Sequence, residues 1–254
     1  MRDRPSDRRQ RILEMLREAG EIKTDDLVVR FGVSPATARR DLRLLERQGQ
    51  AIRLHGGAAT PEISLYEASY RERERSHSAE KRRIAAAAAA LVADGQTLAL
   101  TGGTTTTAVA RALRGRDVVI VTNAVNIAME LAREPRTRVH LTGGRLRGSS
   151  YELVGPAAAQ ALQGLNVDLA FIGVNGVSVA RGLTTFNEEE AEVNRAMTAA
   201  AHRVVVVADR SKLGRATLVQ ICPIDAVHVL ITDRDAPAAE VAAFRQAGID
   251  VILS

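Results

Sequence analysis

Two groups of residues in this chain have the types and spacing to do chemistry. The first lies in Val33-Ser34-Pro35-Ala36-Thr37-Ala38-Arg39-Arg40-Asp41-Leu42 and continues to Arg43, Arg53 and His55. Ser34 followed by Pro35 reads as a capped helix start, because proline lacks the N–H that the first helical position leaves unpaired anyway. The free N–H groups at such a start can seat a phosphate. Thr37, Arg39, Arg40 and Arg43 follow on the helix surface. Arginine there can pair with guanine O6/N7 or with phosphate, and threonine can donate to either. Arg53 and His55 lie in a short alternating segment before Gly56-Gly57 and suit contacts with flanking phosphates.

The second group punctuates the ends of apolar runs: Thr101-Gly102-Gly103-Thr104-Thr105, Thr122-Asn123, Thr142-Gly143-Gly144, Asn175-Gly176, Asp209-Arg210-Ser211-Lys212 and Thr232-Asp233. Gly102 and Gly103 would let the backbone approach an anion. The helix that follows would offer its N–H groups and positive dipole end, and Thr104 and Thr105 add hydroxyl donors. Lys212 could act as a point charge on a phosphorylated ligand. Asn187, at the start of an acidic helix, is a candidate for ligand hydroxyls. Ordinary turn chemistry also favours Gly, Asn and Asp in such loops, so the weight rests on their convergence. The Gly102–Thr107 run matches neither a Walker A sequence nor a dinucleotide fingerprint, and no cofactor is expected. His55, His77, His140, His202 and His228 show no metal-ligand spacing, and no serine or cysteine has a base partner in view. No catalytic residue and no metal site are therefore expected.

Elements must hold these residues in place. Ile12, Leu13 and Leu16 recur at helical spacing in residues 7 to 18, and Ala19-Gly20 ends that run. Thr24 is expected to cap a second helix with Asp25 and Asp26 in its first turn, an inner face of Leu27, Val28 and Phe31, and Gly32 as its stop. Ala38, Leu42 and Leu45 make the inner stripe of the third helix, which Gly49 ends. Ile52 and Leu54 then alternate with Arg53 and His55, as in a small β-ribbon. Three helices and such a ribbon describe a winged helix-turn-helix over residues 5–60. Residues 61–80, with alternating charge at Arg71–Arg75, read as an exposed linker or helix. An Ala-rich helix opens near Glu80-Lys81-Arg82, and its alanines imply close helix packing. Strands follow at Thr97–Thr101, Val118–Thr122, Val139–Thr142, Leu169–Val174, Val204–Ala208, Val227–Thr232 and Val251–Leu253. Helices at Thr105–Leu113, Ala124–Arg133, Ala157–Leu162, Glu188–His202 and Pro237–Ala247 separate most of them. This alternation over residues 81–254 predicts an α/β domain with a largely parallel sheet, which binds ligands beyond the carboxyl ends of its strands.

Charge divides the same way. Residues 1–83 carry 19 Lys/Arg against 14 Asp/Glu, whereas residues 84–254 carry 16 of each. The whole net excess of +5 thus sits in the first third, where a polyanion partner would meet it. No apolar run is long enough to span a membrane, no secretory leader is visible, and a single cysteine, Cys222, suits a reducing cytoplasm.

Residues 8–58, with Val33-Ser34, Thr37, Arg39-Arg40-Asp41-Leu42, Leu45-Glu46, Gly49, Arg53 and His55-Gly56-Gly57-Ala58, resemble the winged helix-turn-helix of the DeoR family of bacterial transcriptional regulators. The resemblance continues through Glu80-Lys81-Arg82, Gly103-Thr104-Thr105, Thr122-Asn123, Gly143-Gly144, Gly182-Leu183-Thr184, Asn187, Glu190-Ala191, Asp209, Ser211-Lys212 and Thr232-Asp233. It implies a C-terminal sensor of phosphorylated sugars or related metabolites, with a fold similar to ribose-5-phosphate isomerase and CoA-transferase-like proteins. It also implies that Gly103, Thr104, Thr105, Asn123, Gly144, Asn187 and Lys212 contact the effector, and the convergence of the strand ends adds Gly102, Gly143 and Asp209 to the expected effector site. One departure stands out: many members have an acidic residue where this chain has Thr101 and a small polar one at Gly102.

These readings together predict a sequence-specific DNA-binding repressor of a carbohydrate or related metabolic operon, released by a phosphorylated metabolite. A single reading head binds weakly, so a homodimer or tetramer is expected on double-stranded operator DNA. The rival is a sugar-phosphate isomerase or deaminase-like enzyme with a DNA-binding head. It needs a carboxylate or histidine at the substrate carbon; Thr101 removes one acidic candidate and leaves Asp209.

Overall fold

A computed structural model describes residues 5–19, 21–48, 50–54, 56–59 and 69–254. These fall into two compact units that divide between Ala68 and Ser69. The expected stop residues Gly20 and Gly49 and the wing residue His55 lie outside the described residues.

The N-terminal unit contains α1 (Pro5–Ala19), β1 (Glu21–Lys23), α2 (Thr24–Phe31), α3 (Pro35–Arg47), β2 (Ile52–Leu54) and β3 (Gly57–Ala59). Its core is built from the residues whose spacing marked them. Ile12, Leu13 and Leu16 of α1 meet Leu27 of α2 and Ala38, Leu42 and Leu45 of α3, with Val28 and Phe31 packed alongside. Gly32 ends α2 in the left-handed conformation. The wing is a three-stranded antiparallel sheet ordered β1-β3-β2, one strand more than the ribbon read from the sequence. Thr24 is not the cap of α2. It is the first helical residue, its side chain is buried, and its N–H donates to the Gly56 carbonyl at 2.6 Å. A backbone acceptor from the wing thus replaces the side-chain oxygen expected of a cap. Asp41 is buried on the inner side of α3 and takes Arg8 Nε of α1 at 2.6 Å. It thereby ties the first helix to the third.

The second unit contains α4 (Tyr70–Arg75), α5 (Ser78–Ala90), β4 (Thr97–Leu100), α6 (Thr104–Ala112), β5 (Val118–Thr122), α7 (Val125–Leu131), β6 (Thr137–Leu141), β7 (Arg145–Arg147), β8 (Glu152–Val154), α8 (Pro156–Gln160), β9 (Val167–Ile172), β10 (Gly176–Ser178), β11 (Gly182–Thr185), α9 (Glu188–Ala199), β12 (Ala201–Val207), β13 (Val219–Cys222), β14 (Val229–Thr232), α10 (Ala238–Gln246) and β15 (Asp250–Leu253). Seven strands form one all-parallel sheet in the order β15-β14-β12-β9-β4-β5-β6. Successive strand residues face opposite ways. Leu98, Leu100, Leu169, Phe171, Val205 and Val207 pack with α5, α6 and α7, while Ala99, Ala170, Ile172, Val204 and Val206 pack with α8, α9 and α10. Ala85 and Ala88 are buried in the first of these layers, where α5 lies against α6.

The seven predicted strands are all present, Val118–Thr122 with the ends expected and the other six with ends shifted by one to three residues. The helix expected to reach His202 stops at Ala199, and His202 lies in β12. The antiparallel sheet β10-β11-β13 and the hairpin β7-β8 have no counterpart among the expected elements. Both matter, because they stand beside the strand ends. From β4 the chain builds outward to β5 and β6, then returns to place β9, β12, β14 and β15 on the other side. The winding direction therefore reverses between β4 and β9, the position where open α/β sheets part their loops to admit a ligand.

Candidate functional site

Ser34 caps α3 as expected: its Oγ accepts the Thr37 N–H at 3.2 Å and lies 2.9 Å from Thr37 Oγ1. The Thr37 hydroxyl is therefore engaged within the cap. With about 100° between successive helical residues, Arg39, Arg43, Arg47 and Arg40 share one arc opposite Ala38, Asp41, Leu42 and Leu45. All four arginines are exposed and the opposing four residues are buried. The wing adds to this face. Burial pushes the Arg53 guanidinium of β2 below its ordinary value; Glu46 opposes the shift, and Arg43 and Arg39 reinforce it. Arg53 Nη1 is buried and without a hydrogen-bond partner among the described residues. Arg39, Arg43 and Arg53 thus converge on one patch, and such a concentration of like charge suits a polyanion.

At the reversal point, the β4–α6 loop takes the shape its glycines allow. Gly103 has φ +125° and occupies the N-cap of α6 with no side-chain cap. Thr106 and Thr107 donate back to its carbonyl at 3.0 and 2.7 Å, while Thr104 and Thr105 hydroxyls are bonded to no described residue. The first turn of α6 therefore keeps its N–H groups and two hydroxyls for an outside partner. Thr101, which follows β4, is fully buried, and its Oγ1 accepts the Gly173 N–H at 2.9 Å. It fastens β4 to β9 beneath the loop.

The remaining candidates follow the ends of other strands. Asn123 is buried at the end of β5 and donates its amide to the Leu153 carbonyl at 3.2 Å, which secures the hairpin strand β8. Gly143 and Gly144 form the exposed turn into β7. Asn187 caps α9, accepting the Glu190 N–H at 2.9 Å. Asp209 is buried at the end of β12, and its carboxylate accepts the Ser211 N–H at 3.0 Å. Burial alone would raise the Asp209 acid; Lys212, His77, the Ser211 bond and Lys81 outweigh it and hold the group below its ordinary value.

Three participants escaped the sequence reading. Lys81 is 6% exposed; its Nζ donates to the carbonyls of Arg73 and, at 2.7 Å, Ser76. Burial lowers its pKa to about 8, against the pull of Asp209 and reinforced by Lys212 and Arg73. Its signal was available, since Lys81 shares the buried stripe of Ile84, Ala85 and Ala88 at intervals of three, four and seven. Tyr70, the first residue of α4, is buried. Its hydroxyl donates to Thr107 Oγ1 at 3.0 Å and accepts from Asn126 Nδ2 at 3.0 Å, and its ring meets Tyr151 edge-on at 5.1 Å. The third, Glu152, is buried on β8.

Cys222 is buried, and burial pushes its thiol up to about 11, so it remains protonated and a poor nucleophile at neutral pH. Among the described residues no group of His, Cys, Asp and Glu could hold a metal ion, and no helix is long and apolar enough to cross a membrane.

Comparison with known proteins gives two family matches: residues 8–64 to the DeoR-like helix-turn-helix domain and residues 76–234 to the DeoR C terminal sensor domain. The HTH-type transcriptional regulator GlpR of Haloferax volcanii is 39% identical over 98% of this chain and 97% of its own. The HTH-type transcriptional repressor GlcR of Bacillus subtilis is 37% identical over 88% of this chain and 86% of its own. The glycerol-3-phosphate regulon repressor of Escherichia coli is 34% identical over 90% of each chain. A ribose 5-phosphate isomerase A from Methanocaldococcus jannaschii superposes over 56% of both chains at 20% identity with a TM-score of 0.41, too partial a likeness to carry an argument.

Proposed function

Because this chain belongs to the DeoR family and is a DNA-binding transcriptional regulator, we propose that it represses a carbohydrate-related operon and is released by a phosphorylated metabolite. Arg39, Arg40 and Arg43 of α3 enter the major groove, the Ser34 end of the helix meets a phosphate, and Arg53 with His55 grips the flanking backbone. The effector's phosphate binds at the first turn of α6, with Gly102, Gly103, Thr104 and Thr105 beneath it and Lys212 as a counter-charge. Asn123, Gly143, Gly144, Asn187 and Asp209 shape the surrounding crevice. The observation that carries the effector half of this reading is the uncapped, threonine-lined start of α6 at the reversal point.

Release requires the effector to favour the form that does not bind DNA, and the operator must then weaken effector binding by the same factor. Tyr70 supports a route for this coupling, since Thr107 links it to the Gly103 carbonyl. A head of this size reads too few base pairs alone, so the protein acts as a dimer or tetramer on repeated half-sites. The test joins a gel shift with fragments upstream of the gene and its neighbours to a thermal-shift screen of phosphorylated metabolites on the full chain. A fragment bound specifically and freed by a stabilising metabolite is the expected result. Multiple turnover of any of these metabolites would favour the enzyme reading instead.

A further inference from the structure

Glu152 has an unusual seat. It is 2% exposed. Its backbone lies on the end of β5: Glu152 bridges Ala124, and the next residue donates its N–H to the Asn123 carbonyl at 2.7 Å. Its side chain then crosses to the end of β4. A Cβ added at Gly102 would meet Glu152 Cγ at 2.2 Å and Cδ and Oε1 at 2.4 Å. Position 102 must therefore lack a side chain for this carboxylate to lie where it does, so Gly102 and Glu152 form a matched pair. Gly102 adjoins Gly103, the N-cap of α6. On the hairpin, Glu152 is in register with Arg147, whose guanidinium lies 3.5 Å from Glu190. Arg145 of the same strand pairs with Glu189, so three acids accompany two arginines on this side of the loop.

We infer that Glu152 is the specificity-determining residue of the effector site, accepting hydrogen bonds from hydroxyl groups on the carbon skeleton of a metabolite whose phosphate is held at α6. This rests on the reading of α6 given above. A phosphate bound at the first turn of α6 leaves the rest of the ligand beside Gly102, within the field of the carboxylate. An ionised carboxylate only accepts hydrogen bonds. It therefore rewards hydroxyls and repels a second phosphate or carboxylate on the same ligand. The effector class is a polyhydroxy monophosphate with no second anionic group.

Binding to the full-length protein can be measured with three kinds of probe. Ribose 5-phosphate, glucose 6-phosphate, fructose 1-phosphate and glycerol 3-phosphate carry one phosphate and hydroxyls. Ethyl phosphate carries no hydroxyl, and 6-phosphogluconate and fructose 1,6-bisphosphate carry a second anion. At least one hydroxylated monophosphate should bind about tenfold or more tightly than ethyl phosphate, as a charged hydrogen bond implies, and more tightly than the doubly anionic probes. Glu152→Gln, whose amide oxygen still accepts but carries no charge, should weaken the preference for hydroxyls several-fold and abolish the discrimination against a second anion, while its response to ethyl phosphate reports separately on the α6 end. Gly102→Ala, whose methyl must displace the carboxylate, should do the same if Glu152→Gln folds poorly. Wild-type preference for a doubly anionic probe, or a folded Glu152→Gln that keeps both preferences, overturns the inference. If no probe, ethyl phosphate included, binds the wild type, the α6 reading itself fails.

Discussion

At the scale of single residues, the cationic side chains have separable duties. Arg40 lies on the exposed arc of α3, so Arg40→Ala should weaken operator binding by about 1–3 kcal/mol while the sensor still binds its effector. Unchanged footprints would move the reading surface elsewhere. Lys212→Ala should leave operator binding intact and blunt release, and a variant that still lets go at wild-type effector concentration removes Lys212 from the site. Lys81 carries a pH signature. Its folded pKa of about 8 lies below the ordinary 10.5, so between these values the unfolded chain holds more protons. Its contribution to stability is most unfavourable below pH 8 and improves as pH rises through that window. Urea unfolding between pH 7.5 and 9.5 should show that rise, and Lys81→Met should lack it.

At the scale of elements, the legible part of the fold was whatever repeats along the chain. Ile12, Leu13 and Leu16, then Ala38, Leu42 and Leu45, marked the inner faces of α1 and α3 by spacing alone. The apolar runs marked all seven parallel strands. What stayed hidden depends on distant segments. Thr24 has the right type for a cap, but the Gly56 carbonyl arrives from the wing and does the work. Strands β7, β8, β10, β11 and β13 are three or four residues long, too short to show a period. The candidate site divides in the same manner. The β4–α6 loop could be read locally; the placement of Glu152 over Gly102 could not, because they are joined only through tertiary packing. Asp41 shows how much one such bond can carry. It sits among arginines in sequence yet faces inward to Arg8. Asp41→Asn should destabilise the N-terminal unit by about 3 kcal/mol, since it strands a buried guanidinium. Urea titration followed by operator binding would read this loss; a change within error would make the pair dispensable.

For the molecule as a whole, the separation of charge implies that salt governs one function far more than the other. Operator affinity should fall linearly on a log–log plot against salt, and each phosphate-contacting arginine removed should flatten the slope by about one. Effector binding at the largely buried loop should respond much less. Equal sensitivity in both assays would contradict a division of labour between a cationic head and a neutral body. Tyr70→Phe tests the proposed coupling. It removes one hydroxyl from the Thr107–Asn126 cluster. Operator and effector should each bind the variant alone with near-normal affinity, while their mutual antagonism shrinks.

Thr107 holds the Gly103 carbonyl with its proton and receives Tyr70 on its lone pairs. The β4–α6 loop and the start of α4 therefore meet at one hydroxyl, to which Asn126 also donates. A ligand that draws on the Gly103 carbonyl acts on α4 through this hydroxyl, and the sheet need not change shape for that.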